Sequence, residues 1–292
     1  MTIQTGLNQR QKAAVIVRLL LDDDQASGLS RLDSESQTLL AEEMAGMELI
    51  DRQTRDAIIT EFCDRLESVG VTFPGDLDGT LADTSADLIA AANACFAARG
   101  IDVALDPVAD ALTAFHGGRA MLRAGYGRMG SGMLLPPGAE DEDFPRLLSH
   151  YGENIAVHTK LYPGVEETLD RLQADGHILA VCTNKPGALA EALLDALGVR
   201  GRFASMIAAD TLPVRKPDPR PYHAAVERAG GRVAASFLVG DTETDRKTAT
   251  AAGVKVALVS FGPEGEGISR LAPDALIAHF EELPELARLW LG

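Results

Sequence analysis

The sequence predicts an α/β fold, with a parallel sheet as its core, a helical cap inserted into that core and a small all-α domain before it. Two observations carry this prediction. Residues 1–70 show helical patterns alone, and from residue 76 onward short apolar segments alternate with helical stretches. Such alternation is typical of parallel strands joined by helical crossovers. We expect the helical domain at 1–70, the sheet core at 71–83 and 160–292, and the cap at 84–159.

Four helices are predicted in the N-terminal segment. Their candidate N-cap residues, whose short polar side chains accept backbone hydrogen bonds, are Asn8, Asp24, Ser34 and Asp51. In the last helix, Ile58, Phe62 and Leu66 recur at every fourth position and form one apolar stripe. The segment contains no pair of catalytic residues, so we expect a packing or docking module.

Charge and cysteine content exclude several classes of protein. The 292 residues carry a formal charge of −16, which argues against binding to nucleic acid or to an anionic membrane. Cys63, Cys95 and Cys182 lie far apart without a CxxC spacing, so neither a disulfide framework nor a zinc site is expected. The apolar run 13–21 contains Arg18 and is too short to span a bilayer, and the N-terminus lacks a signal-peptide pattern. We therefore expect a cytoplasmic protein.

Four apolar segments of the predicted core resemble strands that are buried on both faces. These segments lie at 177–182, 202–209, 235–240 and 254–260, and the helices between them include 187–197 and 219–229. The insert before them has one helix that starts at Asp83 or Thr84 and ends at Gly100, and a second helical stretch around 106–127. Reactive groups in a parallel sheet gather at the carboxyl ends of its strands, so the polar residues there form the candidate site.

The candidate site combines four short motifs. In chain order, DLDGT contributes Asp76 and Asp78, HILAVCTN contributes Thr183 and Asn184, VRKPDP contributes Lys216, and FLVGDTETD contributes Asp241 and Asp245. Three carboxylates at strand ends suit a hard cation such as Mg²⁺, which binds oxygen ligands and completes its coordination with water and phosphate. A hydroxyl and an ammonium suit the remaining oxygens of a phosphate group.

In this order, the four motifs resemble those of the haloacid dehalogenase-like phosphohydrolases, over residues 76–292. The resemblance implies a Rossmann-like core and a helical cap that closes over the site and carries substrate specificity. It also implies that Asp76 attacks phosphorus to form an aspartyl-phosphate, which water then hydrolyses. Asp78 would protonate the leaving group and then activate the water.

The same resemblance implies roles for the other residues at the strand ends. Thr183 and the backbone of Asn184 would bind phosphoryl oxygens, and Lys216 would neutralise charge between the nucleophile and the phosphate.

The metal site implied by the resemblance consists of Asp76, the backbone carbonyl of Asp78, and Asp241, which together would bind Mg²⁺. Asp245 either supports this site or is an acidic residue on a helix surface, and the sequence leaves both interpretations open.

Three longer stretches, YPGVEETL, LPVRKPDPRPY and FLVGDTETDRKTATAAGV, resemble bacterial phosphoglycolate phosphatases. This resemblance implies 2-phosphoglycolate as the substrate. In the cap stretch FHGGRAML, Gly118 allows close backbone approach and Arg119 could hold the substrate carboxylate through two hydrogen bonds. A glycine-broken helix with a solvated arginine explains that stretch equally well, and the role of His116 stays open. A mutase or phosphonate-cleaving relative shares the core, but residues 84–158 contain no lysine, which weakens the phosphonatase alternative.

The stretches LNQRQKAAVIVRLL and LSRLDSESQTLLAEEMAGMELIDRQTRDAIITEF, within residues 5–70, are similar to the N-terminal domain of the flagellar motor-switch protein FliG. In that family the domain docks onto the membrane-ring protein of the flagellar basal body, which implies such a partner here. A rival hypothesis follows, in which the chain is a docking module fused to a poorly active phosphatase body.

The junction between the two parts carries Pro74 and Gly75 directly before Asp76, where a buried strand is expected. Proline cannot donate a hydrogen bond to a central strand, and glycine contributes no side chain to the core. We therefore expect the first core strand to be weakened. Replacing the pair by Val and Phe is expected to raise both stability and kcat.

Overall fold

The computed structural model describes residues 71–129 and 138–291, together with eight isolated positions near the N-terminus. The chain divides into two compact units, residues 1–68 and 69–292. All eight described positions of the first unit are helical, and three of them, Ala14, Val15 and Ile58, are buried. The boundaries of the four predicted helices lie outside the described residues, so the all-α domain stays a prediction.

A six-stranded, all-parallel sheet forms the core of the second unit. Two short strands, β2 and β3, form a separate antiparallel ribbon. In chain order the strands are β1 (Val71–Gly75), β2 (Ala82–Asp83), β3 (Lys160–Leu161), β4 (Ile178–Cys182), β5 (Ser205–Ile207), β6 (Phe237–Gly240), β7 (Lys255–Val259) and β8 (Ala275–Ile277). The order across the sheet is β5-β4-β1-β6-β7-β8, which confirms the predicted Rossmann-like core.

Helices cover both faces of this sheet. Four of the nine described helices belong to the cap: α1 (Ser85–Ala98), α2 (Ala111–Phe115), α3 (Gly118–Gly127) and α4 (Ala139–Glu153). The five helices of the core are α5 (Val165–Ala174), α6 (Gly187–Ala196), α7 (Pro219–Arg228), α8 (Glu243–Ala252) and α9 (Leu283–Leu291).

Alternate residues of β4, β6 and β7 enter two different apolar clusters. In β4, Leu179 and Val181 pack with α5, α6 and α9, whereas Ala180 and Cys182 pack with α7 and α8. This alternation buries each strand on both faces, as the continuous apolar runs predict. The result is a three-layer core that brings the carboxyl ends of its strands to one edge.

The cap is joined to the core by the β2–β3 ribbon, in which Ala82 pairs with Leu161 and Asp83 with Lys160. The predicted helical stretch at 106–127 is divided at Gly117, whose φ of 96° is readily adopted by glycine alone. Helix α4 was not predicted. Its apolar positions pack against α1 and α3 through the second cluster of buried residues, which includes Phe96 and Leu147.

Strand β1 continues through Pro74 and Gly75 in the middle of the sheet. It pairs with β4 over its length, with a register shift between Val71 and Phe73. On its other side, the described register pair is Gly75 with Val239 of β6. The backbone thus keeps a paired central strand up to the residue before Asp76.

Two expectations from the composition, on the cysteines and on membrane spans, can be compared with the structure. Cys95 and Cys182 are buried free thiols, whereas Cys63 lies outside the described residues. Across the described parts of the chain, no helix combines the length and the apolarity needed to cross a bilayer.

Candidate active site

Three neighbouring strands bring the predicted motif residues together. Asp76 follows β1, Thr183 follows β4 and Asp241 follows β6, and these strands are adjacent in the order β4-β1-β6. Lys216 reaches the same edge from the loop between β5 and α7. The sequence places these residues far apart along the chain, and the sheet brings Thr183 and Lys216 within hydrogen-bonding distance of Asp76, and an oxygen of Asp241 within 4.8 Å of one of Asp76.

Both carboxylate oxygens of Asp76 have defined partners. Oδ1 accepts hydrogen bonds from the Leu77 backbone N–H at 2.8 Å and from the Thr183 hydroxyl at 2.6 Å. Oδ2 lies 3.2 Å from Nζ of Lys216. These contacts hold the carboxylate in one orientation. The side chain is only half-buried, so it stays accessible from the solvent. A nucleophile requires such a fixed but reachable position.

Lys216 is held by a second carboxylate, Asp245, whose Oδ1 lies 2.7 Å from Nζ. Burial alone would lower the pKa of Lys216, but the charges of Asp245 and Asp76 outweigh it and raise the pKa above its ordinary value. Oδ2 of Asp245 accepts hydrogen bonds from the hydroxyl and backbone N–H of Thr242, which form the capping box of α8. Asp245 is fully buried, so the alternative of an acid on a helix surface is excluded.

Asp241 is fully buried and only partly satisfied. Its Oδ1 accepts a hydrogen bond from the Thr80 hydroxyl at 2.7 Å, whereas Oδ2 has no partner among the described residues. Burial raises the pKa of Asp241 well above its usual range, and the charges of Asp245 and Asp76 raise it further. A Cβ on Gly79 would lie 2.1 Å from Oδ2, so the glycine keeps space around this oxygen.

The donor set around Asp241 fits a divalent cation. Asp76, Asp241 and Asp245 each offer an oxygen, and these oxygens lie within 4.8 Å of one another. The unpartnered oxygen of Asp241 and its raised pKa mark an excess of buried negative charge, which a hard cation with oxygen ligands neutralises. Both oxygens of Asp245 and of Asp76 already have partners, so Asp241, whose Oδ2 has none among the described residues, is the clearest ligand of the three.

Asp78 is oriented by two groups that the sequence did not indicate as site residues. Its Oδ1 accepts hydrogen bonds from the Thr84 hydroxyl and from Nζ of Lys185, both at 2.8 Å. The Lys185 side chain is 4% exposed, and its ammonium lies 4.4 Å from the ring centroid of Tyr151 in α4. The sequence could have indicated Lys185 as a site residue, because it directly follows the Thr183-Asn184 pair. Tyr151 could not be found in this way, because it lies in the helix that was not predicted.

Asn184 is exposed, and its side chain donates a hydrogen bond to the backbone carbonyl of Lys216 at 3.0 Å. This contact ties the loop after β4 to the loop that carries Lys216. The adjacent backbone N–H of Lys185 donates to the Thr183 hydroxyl at 3.1 Å. The Thr183 hydroxyl is therefore fixed from both sides, by a donor and by the acceptor Asp76.

Arg119 and Gly118 lie at the start of α3 in the cap. Arg119 is paired with Asp141 of α4, its guanidinium lies 4.6 Å from the ring centroid of Phe144, and its side chain is 44% exposed. A Cβ on Gly118 would lie 3.0 Å from the same Phe144 ring. The contacts that the structure gives these two residues are thus with α4, and their predicted part in substrate binding stays a prediction.

Two family models match the chain. Residues 75–259 match the haloacid dehalogenase-like hydrolases, and residues 6–81 match the FliG N-terminal domain. Both predicted resemblances are confirmed. The two matches overlap at residues 75–81, the segment that contains Asp76 and Asp78.

Several relatives align over most of their own length. A phosphoglycolate phosphatase from Mesorhizobium japonicum is 38% identical over 209 residues, which cover 71% of this chain and 90% of the relative. One from Caulobacter vibrioides is 38% identical over 219 residues, with 74% and 90% coverage. The crystal structure of a predicted phosphoglycolate phosphatase from Haemophilus somnus matches with a TM-score of 0.64 and 26% identity, and covers 75% of this chain and 98% of that one.

The match over residues 75–259 includes the cap and every strand end that carries a candidate residue. The matches bear out the prediction of a phosphoric monoester hydrolase. The chain belongs to the haloacid dehalogenase-like hydrolases.

Proposed function

We propose that the chain is a Mg²⁺-dependent phosphatase of small phosphorylated acids, with 2-phosphoglycolate as its first substrate, and that it acts in the cytoplasm. The observation that carries the proposal is the position of Asp76, whose carboxylate is oriented by Thr183 and lies beside the ammonium of Lys216. The phosphoglycolate phosphatases among its relatives support the substrate.

In the first step, a carboxylate oxygen of Asp76 attacks phosphorus and the P–O bond to the leaving group breaks. Asp78 donates its proton to the departing alkoxide oxygen, so that glycolate leaves as an alcohol. Thr84 and Lys185 hold Oδ1 of Asp78, which leaves Oδ2 for this proton transfer. The product of the step is an acyl phosphate on Asp76.

In the second step, water attacks the acyl phosphate and gives a proton to Asp78. The bond between phosphorus and the Asp76 oxygen breaks, inorganic phosphate is released and Asp78 is protonated again. The sum of the two steps is the hydrolysis of one ester by one water. One carboxyl group thus acts as acid and then as base, which requires no other titrating residue.

Phosphoryl oxygens would bind to the Thr183 hydroxyl, the Asn184 backbone and Lys216. The Lys216 ammonium is already fixed between Asp76 and Asp245, so it needs no reorganisation as charge develops on the phosphate. Mg²⁺ would be held by Asp76, Asp241 and the Asp78 carbonyl, and when bound it supplies positive charge against the phosphate and the excess of carboxylates.

The experiment that tests this proposal is a comparison of kcat/KM for 2-phosphoglycolate and for other phosphate monoesters, with Mg²⁺ and with EDTA. The Asp76→Asn variant is the matched control for a contaminating phosphatase, since its side chain has the same size and is a poor nucleophile. We expect Mg²⁺-dependent activity in the parent, a preference for phosphoglycolate, and loss of activity in the variant. Equal activity in parent and variant would contradict the proposal.

A second function is proposed for the N-terminal part, on the basis of the match of residues 6–81 to the FliG N-terminal domain. Residues 5–70 would dock onto the ring protein of a flagellar basal body. Binding of the full chain to that ring protein tests this, with Ile58→Asp as the control, because Ile58 is 1% exposed and a carboxylate there disrupts its unit. We expect Ile58→Asp to lose binding and keep the phosphatase activity. A parent that does not bind contradicts the docking function.

A further inference from the structure

A buried ammonium and a buried phenol meet between the cap and the core. Lys185 follows β4 of the core and is 7% exposed, and Tyr151 belongs to α4 of the cap and is 1% exposed. The ammonium lies over the ring of Tyr151, 4.4 Å from its centroid. Burying a lysine is costly unless the charge has partners, and the anionic partner that the structure gives this ammonium is Asp78, at 2.8 Å.

The hydrogen-bonding capacity of this pair is not used up by the described residues. An ammonium has three donors, and the acceptor that the structure gives Lys185 is Oδ1 of Asp78. The Tyr151 hydroxyl is buried and has no hydrogen-bond partner among the described residues. Burial, together with the charges of Asp78 and Asp87, raises the pKa of Tyr151, so this hydroxyl stays a donor. The Tyr151 hydroxyl and the remaining donors of the ammonium therefore lie close together, and no described residue is given as their acceptor.

The contacts of Asp78 limit the distance between the Lys185 ammonium and the leaving oxygen of the substrate. The leaving oxygen must lie about 2.7 Å from the free oxygen of Asp78 to receive its proton. Since Nζ of Lys185 is 2.8 Å from the other oxygen of Asp78, the ammonium lies no more than about 8 Å from the leaving oxygen. In a phosphorylated 2-hydroxy acid, a single carbon separates this oxygen from the carboxylate. With a hydrogen bond of about 2.8 Å, the carboxylate reaches groups about 6 Å from the leaving oxygen, which covers most of the distance to the ammonium.

We propose that Lys185 and Tyr151 bind the carboxylate of the leaving group and thereby determine the specificity for phosphorylated 2-hydroxy acids. The inference rests on the proposed function, since it takes Asp78 as the acid that faces the leaving oxygen. It places the selective contact at the cap–core boundary beside Asp78. The alternative position, Arg119, is exposed and already paired with Asp141.

The test is the binding of two unreactive phosphonates in the presence of Mg²⁺, measured by titration calorimetry. 3-Phosphonopropionate has the shape of 2-phosphoglycolate with a methylene in place of the ester oxygen, and propylphosphonate replaces its carboxylate by a methyl group. The ratio of their Kd values isolates the carboxylate contact. This readout requires no turnover, so it is separate from a failure of the proposed activity, which the hydrolysis of phosphate esters reports.

We expect the parent to prefer 3-phosphonopropionate, and Lys185→Met to reduce the ratio of Kd values by about 10-fold or more, as for one charged hydrogen bond. Tyr151→Phe is expected to reduce it by about 2- to 10-fold. Lys185→Arg, which keeps the charge, should restore part of the preference. Arg119→Ala is the matched control and should leave the ratio unchanged. Thermal melting verifies that each variant is folded.

Three results overturn the proposal. A parent that binds both phosphonates equally, or binds neither, has no carboxylate site. An equal loss for both phosphonates in Lys185→Met makes Lys185 a positioning residue for Asp78 alone. A loss of preference in Arg119→Ala, with the preference kept in Lys185→Met, moves the site to Arg119. If Lys185→Met fails to fold, Tyr151→Phe decides, because it removes one hydroxyl that has no partner among the described residues.

Discussion

One oxygen of Asp241 is buried without a hydrogen-bond partner among the described residues, and its carboxylate is close to those of Asp76 and Asp245. A carboxyl group whose folded-state pKa is raised binds its proton more tightly in the folded state than in the unfolded state. In the metal-free protein, this carboxyl group therefore contributes stability that is fully present at low pH. This contribution is lost as the pH rises from about 3.9, the unfolded value, through the raised folded value.

We expect Asp241→Asn to be at least as stable as the parent at neutral pH without Mg²⁺, and to lose this part of the pH dependence. Mg²⁺ should stabilise the parent, by about 2.7 kcal/mol at 100 times its Kd, and leave the stability of the Asp241→Asn variant unchanged. The measurement is thermal melting with and without Mg²⁺ at several pH values. An equal Mg²⁺ effect on both proteins would mean that Asp241 is not a ligand.

At the residue scale, the sequence predicted the groups that stand at strand ends and missed those contributed by packing. Asp76, Thr183, Lys216 and Asp241 converge because a parallel sheet brings its carboxyl ends to one edge. The contact of Lys185 with Tyr151 depends on how α4 of the cap lies over β4 of the core. No spacing in the chain encodes that contact, so it required the structure.

Helix α1 carries a clamp that ties the two connections between cap and core. Asp87, which is 3% exposed, accepts hydrogen bonds from the backbone N–H groups of His158 and Thr159 and from the Thr159 hydroxyl at 2.7 Å. The clamp thus joins the start of the cap to its end, next to the β2–β3 ribbon.

We expect Asp87→Ala to lower the free energy of unfolding by about 2–4 kcal/mol, because it leaves several donors without an acceptor. Asp102→Ala is the matched control, since Asp102 is exposed. Chemical denaturation of both variants measures the difference. A loss no larger than that of the control would show that the clamp does not stabilise the cap connection.

Strand β1 is the element for which the sequence and the structure lead to the most different expectations about activity. The Pro74-Gly75 pair predicts a weakened strand and a displaced nucleophile, yet the backbone keeps its pairing with β4 through both residues. Asp76 then meets the Leu77 N–H, Thr183 and Lys216. The structure therefore no longer supports the expectation that replacing this pair raises kcat. The expectation that the replacement raises stability is unchanged.

We expect Pro74→Val to raise the free energy of unfolding by about 1 kcal/mol, the span of strand propensities. It should leave kcat within about twofold, because the nucleophile is already oriented. Thermal melting and Mg²⁺-dependent turnover beside the parent measure the two quantities. A tenfold rise in kcat would show that the proline displaces Asp76 after all.

Among the elements, the long apolar runs predicted β4, β5, β6 and β7, and the residues between them predicted α6 and α7. The elements that the sequence did not predict include the short strands β2 and β3, and also β8 and α4. Strand β8 has three residues, too few for a pattern, and α4 begins with an acidic stretch and contains Pro145. Their stability comes from packing against neighbours rather than from local preference.

For the whole molecule, the two family matches meet at the candidate catalytic aspartates, since residues 6–81 and 75–259 share the segment 75–81. All candidate catalytic residues belong to the unit 69–292, and the docking resemblance rests almost entirely on the unit 1–68. The predicted domain limits of 1–70, with a cap at 84–159, stay a proposal. Periodicity alone predicted this division, whereas the arrangement of helices in the first unit lies outside the described residues.

The central claim is that Asp76 forms a covalent bond to phosphorus, and labelling of this residue tests it most directly. The full-length Asp78→Asn variant is mixed with Mg²⁺ and an aryl phosphate, whose leaving group departs without a proton from Asp78, and is then quenched in acid and digested, and its peptides are analysed by mass spectrometry. The amide that replaces the Asp78 carboxylate cannot activate water, so we expect the peptide that contains Asp76 to gain the mass of one phosphoryl group and keep it. Adding Asp76→Asn should abolish the label. A phosphoryl group on any other residue, or turnover in the Asp76→Asn variant, would contradict the account.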